Sequence, residues 1–267
     1  MNAGDGPVRR VLVALDAGPG YQESLRRAAE LAGEMDAELA ALFIEDANLF
    51  RLAGLPTAEI SLVSGARHPL EARKLERELR ARAAEARADL EKLARARRLT
   101  WSFQVWRGRM DDALREATRE ADLVSLGRET RPLVRGRGRT SRSPAPAPVL
   151  VLLEPGESEA GIARLLGIAA RMARSTSAPL SIVAAVGGPA LGRRLRAVAE
   201  TLLAELAIAA TWRQVRPNRK AVLNALARAR PRLLVLDTAG PAVAEGLLDE
   251  LLHAADAEAL LVGGAGG

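Results

Sequence analysis

Val11-Leu-Val-Ala-Leu-Asp16 is an unbroken apolar run closed by a carboxylate, and Val149-Leu-Val-Leu-Leu-Glu154 repeats it in the second half of the chain. Each run has the length of a strand buried on both faces, because it is continuously apolar instead of alternating. A turn with Gly or Pro follows each, and then apolar residues at helical spacing: Leu25, Ala28, Ala29, Ala32 and Met35 after the first, Ile162, Leu165, Leu166, Ala169 and Met172 after the second. Further on, Thr100-Trp-Ser-Phe-Gln-Val105 matches Thr211-Trp-Arg-Gln-Val215, and Arg107–Leu126 matches Arg216–Leu236 with one residue of slip. The chain therefore reads as two copies of one supersecondary pattern.

Working outward from the two runs, the first copy predicts strands over 9–16, 38–45, 100–107 and 122–127, with helices over 21–35, 69–98 and 111–120. The second predicts strands over 149–154, 180–186, 210–216, 232–237 and 258–263, with helices over 159–174, 189–207, 219–229 and 242–253. Strands alternating with helices imply an α/β fold with right-handed crossovers and parallel sheets covered on both faces. Ligands of such sheets sit beyond the strand carboxyl ends, at the topological switch point. Within the long helix, Leu75, Leu79, Ala83, Ala86, Leu90 and Leu93 form one apolar stripe. Glu76 with Arg80, Glu78 with Arg82 and Glu91 with Arg95 make its other faces a solvated surface.

Composition narrows the chemistry. Among 267 residues, 48% are hydrophobic and 27% charged, which is globular and not disordered. The absence of cysteine excludes disulfides, zinc-thiolate sites and a cysteine nucleophile, and makes a cytoplasmic protein the expectation. His68 and His253 lie far apart without ligand-spaced partners, so no metal site is expected. The apolar run after Arg9 and Arg10 stops at Asp16 and does not read as a targeting segment. The charge-free stretch 175–192 contains two prolines and a Gly-Gly pair, which reads as a strand and turn, so no membrane span is expected.

The net charge is +6, and 128–142 alone contributes +5, since arginines 128, 131, 135, 137, 139 and 142 face only Glu129. With aromatics at 3% there is no interleaving of basic and stacking residues, and specific nucleic-acid binding is not expected. Lys74, Lys92 and Lys220 are the only lysines and none follows a Gly-rich loop, which excludes P-loop phosphoryl transfer. No Gly-x-Ser-x-Gly elbow exists. Gly18-Pro-Gly20 faintly suggests a dinucleotide turn, but Glu23 stands at its third glycine position and would set a carboxylate against a pyrophosphate. Trp101, Trp106 and Trp212 read as core or sheet-edge packing.

The run Val11–Asp16 before an alanine-rich helix, Val105-Trp-Arg-Gly-Arg-Met-Asp-Asp-Ala-Leu114, Ala121-Asp-Leu-Val-Ser-Leu-Gly127 and Ala145-Pro-Ala-Pro-Val-Leu-Val151 together resemble the universal stress protein family in its tandem form. That resemblance implies two open parallel-sheet, Rossmann-like domains of strand order 3-2-1-4-5, here residues 1–147 and 148–267. Two such domains need ten strands and the sequence offers nine. Losing a central strand would split a sheet, whereas losing an edge only narrows it. Strand 149–154 is therefore given to the second domain, which leaves the first without its edge strand.

The family is known chiefly for non-catalytic regulators of the stress response, some binding ATP or AMP. In those members an aspartate ending the first strand holds the nucleoside, and a Gly-x-x-Gly-x9-Gly-Ser/Thr loop cradles phosphates. Carried over, the aspartate is Asp16, the first loop glycine Gly127 and the final hydroxyl Ser141, while Thr130 and Thr140 replace the other glycines. Arg128 and its neighbours could compensate through bidentate phosphate contacts, or the segment 128–148 could be a solvated linker. The second copy departs further, with Glu154 in place of the aspartate, and is expected to hold no nucleotide. Tandem relatives pair their halves as a pseudo-dimer, and a homodimer is a second expectation. A protein-interaction module without a small ligand, using the Arg-rich loop and the apolar segment 49–63, stays open as the alternative.

Overall fold

The computed structural model describes residues 8–18, 20–47, 59–60, 68–69, 72–127 and 146–263. They fall into two compact units, one within 8–130 and the other within 131–267. Most of the Arg-rich loop, including Arg128 and Ser141, and most of segment 49–63 lie outside the described residues.

The first unit runs β1 (Arg10–Leu15), α1 (Tyr21–Met35), β2 (Glu38–Asp46), a minimal antiparallel pair β3 (Glu59–Ile60) and β4 (His68–Pro69), α2 (Ala72–Arg97), β5 (Trp101–Gly108), α3 (Met110–Glu120) and β6 (Leu123–Leu126). Its main sheet is parallel in the order β5-β2-β1-β6, with β1 paired to β2 from Arg10↔Glu38 and to β6 from Val11↔Leu123. Val11 to Leu15 are all buried, as a central strand covered on both faces requires. On α2 the buried stripe is Leu75, Leu79, Ala83, Ala86, Leu90 and Ala94. Ala94 takes the place expected for Leu93, because four-residue steps keep the last contact on the row facing the sheet. Glu76–Arg80 and Glu91–Arg95 pair across solvent at 2.8 and 2.6 Å, whereas Arg82 turns to Glu85. Tyr21 pins α1 to α2 by donating its hydroxyl to Asp89 at 2.8 Å. Burial and that carboxylate together push the phenol up to about 12.

The second unit runs β7 (Val149–Leu153), α4 (Glu159–Ser175), β8 (Leu180–Ala185), α5 (Pro189–Glu205), β9 (Ala210–Val215), α6 (Arg219–Ala229), β10 (Leu233–Asp237), α7 (Pro241–Ala244), α8 (Leu248–Ala255) and β11 (Glu258–Val262). Its parallel order is β11-β10-β7-β8-β9, so the strand 149–153 lies at the centre, bonded to β8 and β10. Ser158 and Asn218 cap α4 and α6 by accepting from Gly161 and Ala221 N–H at 3.0 and 2.9 Å.

One helix was expected over 242–253; two are found. Leu247 N–H bonds to Ala242 carbonyl and Gly246 N–H to Val243 carbonyl, the paired closure of a Schellman motif, with Gly246 at φ +74°. No described helix is long and apolar enough to cross a membrane.

Candidate functional site

In the first unit the chain leaves β1 toward β2 on one side and returns as β6 on the other, so the switch point lies between β1 and β6. Asp16 directly follows β1 and Gly127 directly follows β6, and the register Ala14↔Leu126 puts both at the carboxyl ends of neighbouring strands. Asp16 is half-buried, and its Oδ1 accepts the Gly18 N–H at 2.9 Å in a side-chain-closed turn. Gly127 is buried. Of the four residues singled out from sequence, Asp16 and Gly127 are thus set on adjacent strand ends, while Arg128 and Ser141 fall outside the described residues.

A neighbouring pair was missed. Glu45, 4% exposed near the end of β2, accepts from Arg107 Nε of β5 at 2.8 Å, and the same guanidinium reaches Glu76 of α2 at 3.6 Å. Hydrogen bonding to Glu45 is the main cause that raises Arg107 above its ordinary pKa. The signal lies in the register, since Glu45 and Arg107 are direct partners across the β2–β5 ladder, and that register cannot be read without knowing the pairing. Glu23 in the first turn of α1 is held at about 2 by hydrogen bonds from Arg26, with Arg27 adding to them.

The second unit builds the same place differently. Glu154 stands after β7 where Asp16 stands after β1, and it is 8% exposed. Both its carboxylate oxygens share one donor, the Ala242 N–H at the start of α7, at 3.1 and 3.2 Å. This approach needs the bare α-carbon of Gly240, since a Cβ there would lie 2.6 Å from Glu154 Oε2. Glu157 folds back so that its Oε1 accepts the Glu154 backbone N–H at 2.9 Å, and its buried Oε2 has no hydrogen-bond partner among the described residues. Asp237, ending β10, accepts from Ala239 N–H at 2.9 Å. Burial is the main cause raising both glutamates, Glu157 to about 8, with nearby carboxylates adding to it.

Beside Glu154 opens a cavity of about 260 Å³, lined by Ala185 at the end of β8, Asn218 before α6, Val222 of α6, Ala242 of α7 and Leu251 of α8. Sequence reasoning singled out no site in this copy. The residues that enclose the cavity come from five separate segments, and only the change from aspartate to glutamate at 154 hinted at them. Among the described residues no group of three or more His, Asp or Glu side chains is arranged to hold a metal ion.

A family model described as the universal stress protein family matches residues 7–152. Among solved structures, a universal stress protein from Archaeoglobus fulgidus DSM 4304 has a TM-score of 0.55 at 12% identity and covers 98% of each chain, which is likeness of fold alone. A second universal stress protein from Archaeoglobus fulgidus covers 44% of this chain and 94% of its own, at 15% identity and a TM-score of 0.36. A universal stress protein in complex with cAMP covers 43% of this chain and 97% of its own, at 20% identity and a TM-score of 0.35. No curated protein matches the sequence.

Proposed function

The chain belongs to the universal stress protein family, and from that premise we propose a non-catalytic stress-response regulator whose first unit carries a weak site for adenine nucleotide, ATP or AMP, or for another anion. The observation that carries this reading is that two neighbouring strands, β1 and β6, end in Asp16 and Gly127 at the switch point, where open parallel sheets receive ligands. In this reading Asp16 holds the nucleoside, Gly127 lets the backbone approach a phosphate, and Arg128 and Ser141 complete the site. Affinity is weak because Thr130 and Thr140 stand where the phosphate loop of the family uses glycine, and a β-branched residue resists the positive φ such a loop needs.

Isothermal titration with ATP and magnesium tests this. We expect binding weaker than micromolar that Asp16→Ala and Gly127→Val abolish and Glu154→Gln leaves in place. Micromolar or tighter binding would mean that the arginines substitute for the missing glycines. Loss of binding in Glu154→Gln alone would move the site to the second unit. The same reading takes residues 1–147 and 148–267 as the two domains of a cytoplasmic protein whose halves pair as a pseudo-dimer or whose chains pair as a homodimer. Sedimentation velocity distinguishes one chain from two, and a cooperative melt of 148–267 expressed alone tests the division.

A further inference from the structure

We propose that the cavity of the second unit is a binding site for a small organic cation, a protonated amine on a compact apolar body, anchored by Glu154. The cavity of about 260 Å³ is small beside the ~300–1,000 Å³ of drug-sized sites, so it admits a compact ligand. Its wall is mostly apolar, including Pro155, Ala185, Val222, Leu223 and Leu251.

Charge decides the class. The charged residues lining the cavity are Glu154, Glu245 and Arg219. Arg219 is already engaged twice by Glu250 of α8, Nε and a terminal nitrogen each at 2.6 Å. The uncompensated charge is negative, and Asp237 adds to it from the end of β10. A phosphate or carboxylate would meet that repulsion without a free guanidinium to offset it.

Glu154 itself asks for a donor. A carboxylate has about four acceptor positions, and here the two oxygens share one backbone N–H while 92% of the residue is withdrawn from water. Leaving acceptor capacity unmet at such depth is costly, and a cation removes that cost most completely. An ammonium group supplies up to three N–H donors and the opposite charge. A bare divalent metal would need several convergent ligands, and no such group exists among the described residues. This site is independent of the nucleotide reading, which concerns Asp16 and Gly127.

The test uses the full chain, ¹⁵N-labelled, titrated with benzylamine as the probe and with benzyl alcohol and benzoate as neutral and anionic counterparts of the same shape. We expect benzylamine to shift the amides of Asn218, Val222 and Ala242, benzyl alcohol to bind at least tenfold more weakly, and benzoate not to bind. Glu154→Gln should lower benzylamine affinity at least tenfold. Should that variant lose its fold, Leu223→Trp, which fills the cavity and leaves the carboxylate in place, should abolish the same shifts. Equal binding of benzylamine and benzyl alcohol, unchanged affinity in Leu223→Trp, or the same shifts from calcium chloride alone would overturn the proposal. So would displacement of benzylamine from these amides by ATP. Shifts from ATP confined to Gly127 and its neighbours would support separate sites.

Discussion

At the scale of single residues, Glu157 carries the clearest consequence of the carboxylate cluster. It faces Glu154 and Asp237, and burial with those charges raises it from 4.5 to about 8. The folded protein therefore keeps a proton that the unfolded chain releases. The stability tied to it is fully present below about pH 4.5 and is lost as pH rises through about 8. Urea unfolding of the chain should weaken across that window, and Glu157→Gln should flatten the dependence and gain about 2 kcal/mol at pH 8, less than the full shift would give because part of the side chain meets water. A wild-type curve already flat from pH 5 to 8 would rule the effect out. None of this was legible in the sequence. Pro155-Gly156-Glu157 reads as a polar turn, and only the folded chain returns that carboxylate to the backbone of Glu154. The positions of Asp16 and Gly127 at strand ends were legible for different reasons: Asp16 is the first charge after an apolar run, whereas Gly127, buried in the fold, was reached through the family's loop pattern.

At the scale of elements, strands were legible and helix breaks were not. Val11–Leu15 and Val149–Leu153 could be recognised because burial on both faces leaves no polar position to interrupt the run. The pair α7 and α8 reads as one helix in the sequence because Leu248, Leu251, Leu252 and Ala255 keep helical spacing after Gly246, and a glycine inside such a pattern is ordinarily tolerated. The backbone decides otherwise, since Gly246 at φ +74° closes α7 and α8 begins only at Leu248. Gly246→Ala should therefore destabilise the protein by roughly 1 kcal/mol in urea unfolding. Were the segment a continuous helix, the same change would stabilise it by a similar amount. The cap of α6 belongs to this scale too. Asn218→Ala should cost about 1 kcal/mol by removing the acceptor for Ala221 N–H, and Asn218→Asp should retain most of that stability.

At the scale of the whole molecule, the nine parallel strands and the charge balance are legible without coordinates, whereas the two-residue antiparallel strands β3 and β4 are too short to leave a pattern in the sequence. The order β11-β10-β7-β8-β9 places β7 at the centre of a five-stranded sheet, and the first unit keeps four strands in its main sheet among the described residues. The order could be anticipated only through the family resemblance, because periodicity tells which segments are buried and not which neighbours they choose. The charge of +6 is concentrated in six arginines between 128 and 142, offset by Glu129 alone. Such a segment attracts any polyanion, and attraction to phosphates carries no sequence information. Each neutralised phosphate contributes about −0.9 to the slope of log K against log salt, so six arginines give roughly −5 at most. Fluorescence anisotropy with unrelated duplexes should then show equal binding at 50 mM salt, falling about a hundredfold or more by 150 mM. A slope near −5 shared by all duplexes would assign the charge to non-specific attraction. Retained, sequence-discriminating binding at 150 mM would require base contacts and would point to a role on nucleic acid instead of at the proposed sites on the strand ends.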